Sequence, residues 1–354
     1  MLIMTGDFIL TGLLLDIVEN PTTFFAISLV LQILAGIGKA AFNISYTCII
    51  CKEFKGAVVF VFAFVEISFG LGNLVGRPVG ELLYEMVGYY FPLLTMCGVM
   101  LVACLPLNHS VLPHQDAIET LSSGQQPTIL SLLRRPFIML QVATVLVTSF
   151  TNSFLQTTQK DQLQSFNLPS FIMACVLSIS VGMYGISAPC CGYLSNKYFS
   201  SPTVTVFGAA LQTIALFLLG SASFKVIEKS LALCIFALVS HGLGNCACLV
   251  ASNGAMVRKT TNMDYPDDIN TYGIISGIWT TAFSFGSFLG PTLGGAIMSL
   301  IRVDYAYIVV LVLHAVLMWL YSTTPYTVPG IISPPRIFII ARGRRPSAIM
   351  DFRG

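Results

Sequence analysis

Two glycine-rich stretches, one in each half of the chain, share the same spacing. The first reads Glu66-Ile-Ser-Phe-Gly-Leu-Gly-Asn-Leu-Val-Gly-Arg-Pro-Val-Gly-Glu81, and the second reads Thr280-Thr-Ala-Phe-Ser-Phe-Gly-Ser-Phe-Leu-Gly-Pro-Thr-Leu-Gly-Gly295. Glycines recur at a spacing of four, at Gly72, Gly76 and Gly80 and again at Gly286, Gly290 and Gly294. This spacing places the glycines on one face of a helix, where a second helix backbone can approach closely. The two copies predict that the chain is an internal duplication.

The composition is that of a membrane protein. Of the 354 residues, 55% are hydrophobic and 10% are charged, with a mean hydropathy of +0.81, whereas soluble proteins average about 25% charged residues. The net charge of +2 gives no indication of nucleic-acid binding. No cysteine spacing resembles a metal site, and no nucleophile–base pair or phosphate-binding loop is present in the sequence. We therefore predict no enzyme activity, no metal and no cofactor.

Ten stretches are apolar over about the 20 residues that a membrane-spanning helix needs. They lie near 3–17, 23–50, 57–85, 88–106, 137–157, 169–193, 203–222, 230–256, 271–300 and 304–322. We predict an all-α polytopic protein with four parts: a partial N-terminal bundle of four helices (1–106), a cytoplasmic central loop (107–136), a six-helix C-terminal bundle (137–322) and a disordered cytoplasmic tail (323–354). Alternate loops and the tail contain twelve lysines and arginines and the other loops four, which predicts that both termini are cytoplasmic.

The two halves differ in length. The second glycine motif lies on the fifth predicted helix of its half, and the first lies on the third predicted helix of its half. Aligning the motifs therefore indicates that two helices are absent from the front of the chain.

The second motif matches the pattern G-x-x-x-G-P-x-x-G-G completely, through Gly286, Gly290, Pro291, Gly294 and Gly295. The first copy keeps Pro78 but has Arg77 and Glu81 where the pattern has Pro and Gly. With six plus six helices and a long central loop, this motif resembles the antiporter motif of the major facilitator superfamily. A second resemblance is the loop Gly192-Tyr-Leu-Ser-Asn-Lys197, with Asn196 where the superfamily pattern has Asp. The resemblance implies a monomeric transporter with a substrate site between its halves. We expect the Pro291 copy to pack tightly and the Arg77 copy to be looser at its lumenal end.

The run from Gln32 to Tyr84 resembles a narrower family. It contains Gly36-Ile-Gly38, Ala40-Ala-Phe42, Lys52-Glu-Phe54, Glu66, Gly70-Leu-Gly72 and Leu82-Leu-Tyr84. These residues are similar to the vesicular amine transporter family (solute carrier 18), most of all its vesicular polyamine transporter branch. The resemblance implies a small organic cation and protons as ligands. It also implies that the retained helices are the third to the twelfth of the full set, and that Gln32 stands where the family's fourth helix usually carries an arginine.

The helices that line the cavity in this superfamily carry polar stripes at helical spacing here. The stripes are Gln32, Gly36, Lys39, Asn43 and Thr47 on the fourth helix; Gln141, Thr144, Thr148, Asn152 and Gln156 on the seventh; and His241, Asn245, Cys248 and Ser252 on the tenth. Such residues predict a lined cavity, although each one by itself can also bond to its own backbone or to a neighbouring helix.

Ionisable groups at membrane depth cost about 3 kcal/mol each and are candidates for function. Glu66 could bind a cationic amine or take up the counter-proton; the alternative is a structural pair with Lys39. His241 could relay protons or be a structural histidine. Trp279 and Tyr272 could stack on an ammonium group or simply pack. We expect Arg77 to pair with Glu81, four residues further along the helix.

The leading prediction is proton-coupled antiport of an organic amine or polyamine into an acidic vesicle, by alternating access. A first alternative is a truncated isoform or fragment that does not transport. A second is a monoamine or drug exporter of the same superfamily. Plasma-membrane localisation is the alternative to an acidic organelle.

Overall fold

The computed structural model describes residues 2–18, 20–54, 58–110, 128–223, 230–261, 265, 269–300 and 303–323. Within them the chain forms eleven helices. These are α1 (Leu2–Ile17), α2 (Pro21–Glu53), α3 (Val58–Val87), α4 (Tyr90–Ser110), α5 (Ile129–Leu133), α6 (Pro136–Gln164), α7 (Ser170–Lys197), α8 (Ser201–Ser223), α9 (Leu231–Thr261), α10 (Ile269–Leu300) and α11 (Val303–Thr323).

Each predicted span overlaps one of the long helices, and the all-α prediction is confirmed for the described residues. Six of the described helices contain segments long and apolar enough to cross a membrane: Pro21–Cys51, Pro136–Gln164, Ser170–Ser195, Ser201–Gly220, Leu231–Thr260 and Ala306–Thr323. Helix extends into both ends of the predicted central loop, since α4 continues to Ser110 and α5 begins at Ile129. Most of the predicted disordered tail lies outside the described residues.

Local sequence sets where the first long helices begin and end. The side chain of Asn20 accepts a hydrogen bond from the Thr22 backbone N–H at 3.0 Å and caps α2. Pro21 follows at the first helical position, where its missing N–H costs nothing. At the other end of this region, α3 ends at Val87. The next residue, Gly88, has a φ of +101°, a conformation that suits glycine and few other residues. Asn20 and Gly88 therefore fix where the α2–α3 region starts and stops.

The second glycine motif is a tight helix–helix contact between α10 and α6. A Cβ atom built on Gly290 would lie 2.7 Å from both Phe150 O and Ser153 Cβ, and one on Gly294 would lie 2.9 Å from Phe154 Cδ2. One on Gly286 would collide with the Ser149 hydroxyl. Each glycine is thus needed for the two backbones to approach.

Among the described residues, no helix packs closely on the face of α3 that carries Gly72, Gly76 and Gly80. A Cβ atom on Gly72, Gly76 or Gly80 would meet no heavy atom within 4 Å among the described residues. The close approach on α3 occurs instead at Gly70, where an added Cβ would collide with Gly185 on α7. The equal spacing of the two motifs therefore does not mean equal packing: one face is covered by α6, and its repeat-related face on α3 is open.

Burial follows the same division. In the second half, α6 and α11 enclose fully buried aromatic side chains such as Phe154 and Tyr307, whose rings meet edge to face at 5.5 Å. In the first half, only 11% of the residues in the apolar 18-residue stretch of α2 are buried, and Phe25 is 68% exposed. Lipid tails are as apolar as these side chains, so such a surface is stable in a bilayer. Helix α2 is held mainly by contacts with α1 and α10.

Candidate functional site

A polar cleft lies where four helices from both halves of the chain meet. It is lined by Asn43, Tyr46 and Thr47 on α2, Glu66 on α3, Asn253 on α9, and Ser276, Trp279 and Thr280 on α10. We call this the Glu66 cleft. The space between these residues is narrow and partly open to solvent.

Glu66 and Thr280 occupy equivalent positions in the two copies of the glycine-rich stretch. Both line the Glu66 cleft. Equivalent positions of the two glycine-rich stretches therefore lie at one site, with a carboxyl group in the first stretch and a hydroxyl group in the second.

The Glu66 carboxyl group is held by a residue of the other half. The hydroxyl group of Tyr184, on α7, donates a hydrogen bond to Glu66 Oε2 at 2.5 Å. The Tyr184 ring is buried and meets the edge of Phe69 at a centroid distance of 6.2 Å. Gly70, one turn along α3 from Glu66, and Gly185, next to Tyr184 on α7, let the two backbones touch. This glycine contact is what brings a tyrosine hydroxyl within reach of the carboxyl group.

Two aromatic side chains flank the same space. The Trp279 indole stacks on Phe283 at a centroid distance of 5.3 Å and an interplanar angle of 9°. Its Nε1 atom is buried and has no hydrogen-bond acceptor among the described residues. Tyr46 lies close enough to Glu66 for the two side chains to interact electrostatically. An anionic group beside tyrosine and tryptophan rings is the chemistry that proteins use for organic ammonium ions.

The structure brings three of the predicted site residues together: Asn43, Glu66 and Trp279. It does not bring Lys39 to Glu66, because the Lys39 side chain is exposed and the partner of Glu66 is Tyr184. Gln32 is also exposed on α2. The polar stripe of α2 thus reaches the cleft only at its carboxyl-terminal part.

The remaining predicted site residues lie on the second half, outside the cleft lining. Asn152 on α6 is half-buried, and Tyr272 on α10 is buried. His241 is buried on α9 with its Nδ1 atom 2.8 Å from the Ser180 hydroxyl, and Asn245 is buried one turn further along.

Arg77 crosses to α6 instead of pairing along its own helix. Its Nη2 atom donates to Gln156 Oε1 at 2.7 Å. The prediction that Arg77 pairs with Glu81 is therefore wrong. Spacing along one helix shows which residues are neighbours, but a long guanidinium side chain can also reach an acceptor on the next helix.

The predicted cytoplasmic loop motif lies at the end of α7. Gly192 is buried, and the side chains of Asn196 and Lys197 lie outside the described residues. The neighbouring Ser195 hydroxyl accepts a hydrogen bond from Arg258 Nη2 at 3.3 Å, and the Ser201 hydroxyl accepts from the same atom. Arg258 therefore ties together the ends of α7, α8 and α9.

Sequence reasoning missed Tyr184 and half of the cleft lining, namely Tyr46, Asn253, Ser276 and Thr280. Tyrosine is an ordinary residue on an apolar helix, and Tyr184 meets Glu66 across 118 positions of sequence. One signal was available: the pair Gly182 and Gly185 beside Tyr184 marks a close helix contact. Among the described residues, no group of three histidine, cysteine or acidic side chains is placed to hold a metal ion.

Comparisons with known proteins show which family the chain belongs to. The sequence profile of the Major Facilitator Superfamily matches residues 1–264 and 165–337. The chain is 28% identical over 310 residues to the MFS-type transporter SLC18B1 of Homo sapiens, and 29% identical over 309 and 312 residues to the proteins of that name in Rattus norvegicus and Mus musculus. Each alignment covers 86% of this chain and 66% of the relative. The chain thus spans just under two thirds of the length of these curated relatives.

The long apolar helices and this family match define an integral, multi-pass membrane protein of the transporter class. The chain belongs to the Major Facilitator Superfamily. The family prediction is confirmed, and the similarity to SLC18B1 agrees with the resemblance to solute carrier 18.

Proposed function

We propose that the chain carries the amine site of a proton-coupled antiporter, which moves organic amines or polyamines into acidic vesicles by alternating access. The observation that supports this most is the position of Glu66, a carboxyl group in a cleft lined by both halves. A carboxyl group inside a membrane bundle is costly, and such groups usually mark a substrate or ion pathway. The similarity to three MFS-type transporters supports the transporter class.

The chemistry of Glu66 suits exchange of a proton for an ammonium ion. A carboxylate can bind either one, and binding of one removes the negative charge that attracts the other. The two ligands therefore compete for one site, which is the simplest physical basis for antiport. Tyr46 and Trp279 add ring faces that stabilise an ammonium ion by cation–π attraction. Asn43 and Thr280 add polar atoms for further hydrogen bonds.

The hydrogen bond between Tyr184 and Glu66 can transmit that exchange to the helices. It joins α3 of the first half to α7 of the second. A hydrogen bond to a charged carboxylate is roughly twice as strong as one to a neutral group. Loss of the negative charge therefore weakens a bond that crosses between the halves. A ligand shifts a conformational equilibrium only through such a difference between states.

The test is uptake by the purified chain in proteoliposomes with an acidic interior. We expect labelled spermidine to accumulate, and accumulation to stop when nigericin collapses the pH gradient. Glu66→Gln should abolish uptake, whereas Glu85→Gln, a change to an exposed glutamate of the same helix, should preserve it. Uptake that persists without the gradient would contradict proton coupling. Uptake of serotonin in place of spermidine would favour the monoamine alternative.

The open glycine face of α3 favours a second candidate: a membrane protein that folds but does not transport by itself. The repeat-related face on α10 is covered by α6, whereas an added Cβ at Gly76 would meet no described residue within 4 Å. A chain that needs another helix on this face would fold and insert, yet not transport by itself. A folded, monodisperse preparation that takes up neither amine would support this candidate over the first.

A further inference from the structure

A second group of polar side chains lies inside the bundle of α8, α9 and α11, apart from the Glu66 cleft. Gln212, His241, Asn245 and His314 are 0%, 1%, 4% and 0% exposed. None of them lines the cleft. Three of them carry a buried polar atom without a hydrogen-bond partner among the described residues: Gln212 Nε2, His241 Nε2 and Asn245 Oδ1.

His314 and Gln212 form the centre of this group. His314 Nε2 lies 2.6 Å from Gln212 Oε1, and His314 Nδ1 lies 3.1 Å from the Val310 carbonyl oxygen. A neutral imidazole donates through only one nitrogen, so either the ring is doubly protonated or the Gln212 amide is rotated to donate to it. In both cases one atom of the Gln212 amide remains unpaired. The unmet hydrogen-bonding requirement therefore does not depend on how the amide is oriented.

His241 and Asn245 leave similar unmet groups close by. The His241 ring uses Nδ1 to bond with the Ser180 hydroxyl at 2.8 Å, which leaves Nε2 free. Asn245 lies one helical turn along α9. Between them Gly244 approaches α8 so closely that an added Cβ would lie 2.8 Å from Gln212 Cγ. Helix α8 packs against both α9 and α11. The three unpaired atoms therefore lie on two neighbouring helices, α8 and α9, and His314 on α11 contacts the Gln212 amide.

We infer that this region is an internal hydration site, in which bound water supplies the missing partners of Gln212, His241 and Asn245. Buried polar groups in proteins are nearly always hydrogen-bonded, and a bilayer offers no solvent to satisfy them. A buried water typically makes about three hydrogen bonds, and the three unpaired atoms offer a donor and acceptors for it. The site is distinct from the Glu66 cleft and needs no transport activity. It would also bring water to two histidine rings in the middle of the bundle.

Water-edited solid-state NMR on the chain in lipid bilayers tests this inference. The sequence contains four histidines; with His109 and His114 changed to Gln, isotope-labelled histidine reports only on His241 and His314. We expect magnetisation to pass from water to both buried rings. Absence of transfer to either ring, in bilayers where exposed groups receive it, would mean that the interior is dry and would overturn the inference.

A matched pair of variants sharpens the test. Asn245→Leu removes one anchor of the water and should cause loss of the transfer peaks at the His241 and His314 rings. Ser240→Ala is the control, because the Ser240 hydroxyl already donates to the Phe236 carbonyl oxygen at 2.9 Å. It should leave the transfer unchanged. Equal transfer in both variants would assign the water to another place. If Asn245→Leu fails to fold, the measurement on the chain that carries only the His109 and His114 changes decides the question.

Discussion

The contrast between the two glycine faces gives a prediction whose size follows from the structure. Gly290→Ala and Gly76→Ala each replace a helical glycine and each gain about 1 kcal/mol of helix propensity. At Gly290 the new methyl group would lie 2.7 Å from the Phe150 carbonyl oxygen and 2.8 Å from the Phe154 backbone nitrogen, so α10 and α6 must separate. Overpacking of this kind costs about 1–3 kcal/mol. At Gly76 the methyl group would meet no atom within 4 Å in the part of the chain that the structure describes.

The difference between the two variants isolates the packing contribution, because the propensity gain is common to both. We expect Gly290→Ala to be less stable than Gly76→Ala by about 1–3 kcal/mol. Thermal unfolding in mild detergent measures this, with a thiol-reactive dye that labels cysteines as they become exposed. The buried thiols Cys51 and Cys97 report on the first half and Cys234, Cys246 and Cys248 on the second. Each kcal/mol corresponds to a shift of about 2–4 °C in Tm. Equal Tm values for the two variants would refute the assignment of one packed and one open face.

Three further predictions concern contacts between the halves. Tyr184→Phe removes the hydroxyl group that bonds to Glu66 and should cost about 1.5–3 kcal/mol in a reversible unfolding titration; an unchanged free energy would show that the carboxyl group finds another partner. Arg77→Ala and Gln156→Ala should show a coupling energy of about 0.5–1.5 kcal/mol in a double-mutant cycle, and strict additivity would mean that the bond does not form in a bilayer. Gly185→Ala places a methyl group 2.5 Å from Gly70 Cα and should destabilise the contact of α3 with α7 by about 1–3 kcal/mol; a Tm equal to that of the unsubstituted chain would contradict this close approach.

The helices were predictable because a membrane span needs one continuous apolar run. The glycine faces were only half predictable. Spacing showed that Gly72, Gly76 and Gly80 share a face, but it could not show whether another helix covers that face. In the second copy the covering helix is α6, whereas in the first the close contact moved to Gly70.

The sequence predicts a site residue whose charge is energetically costly inside a membrane. It does not predict residues whose role depends on contacts between distant helices. Glu66 was found because a carboxyl group at membrane depth is expensive. Lys39 shares a helix face with Asn43, yet only Asn43 reaches the cleft, because periodicity defines a face without defining what that face meets. Tyr184 carried no such signal, since its role comes from an approach of two glycines on distant helices.

The central claim is that Glu66 is the amine-binding group of the cleft, and Trp279 can report on it directly. The chain contains two tryptophans, and Trp319 is 63% exposed on α11. In a Trp319→Phe background, Trp279 is therefore the single tryptophan and lies in the cleft beside Glu66. Titration with spermidine should change its fluorescence saturably, and Glu66→Gln should remove that response while Glu85→Gln keeps it. A response of equal amplitude and affinity in Glu66→Gln would contradict the claim.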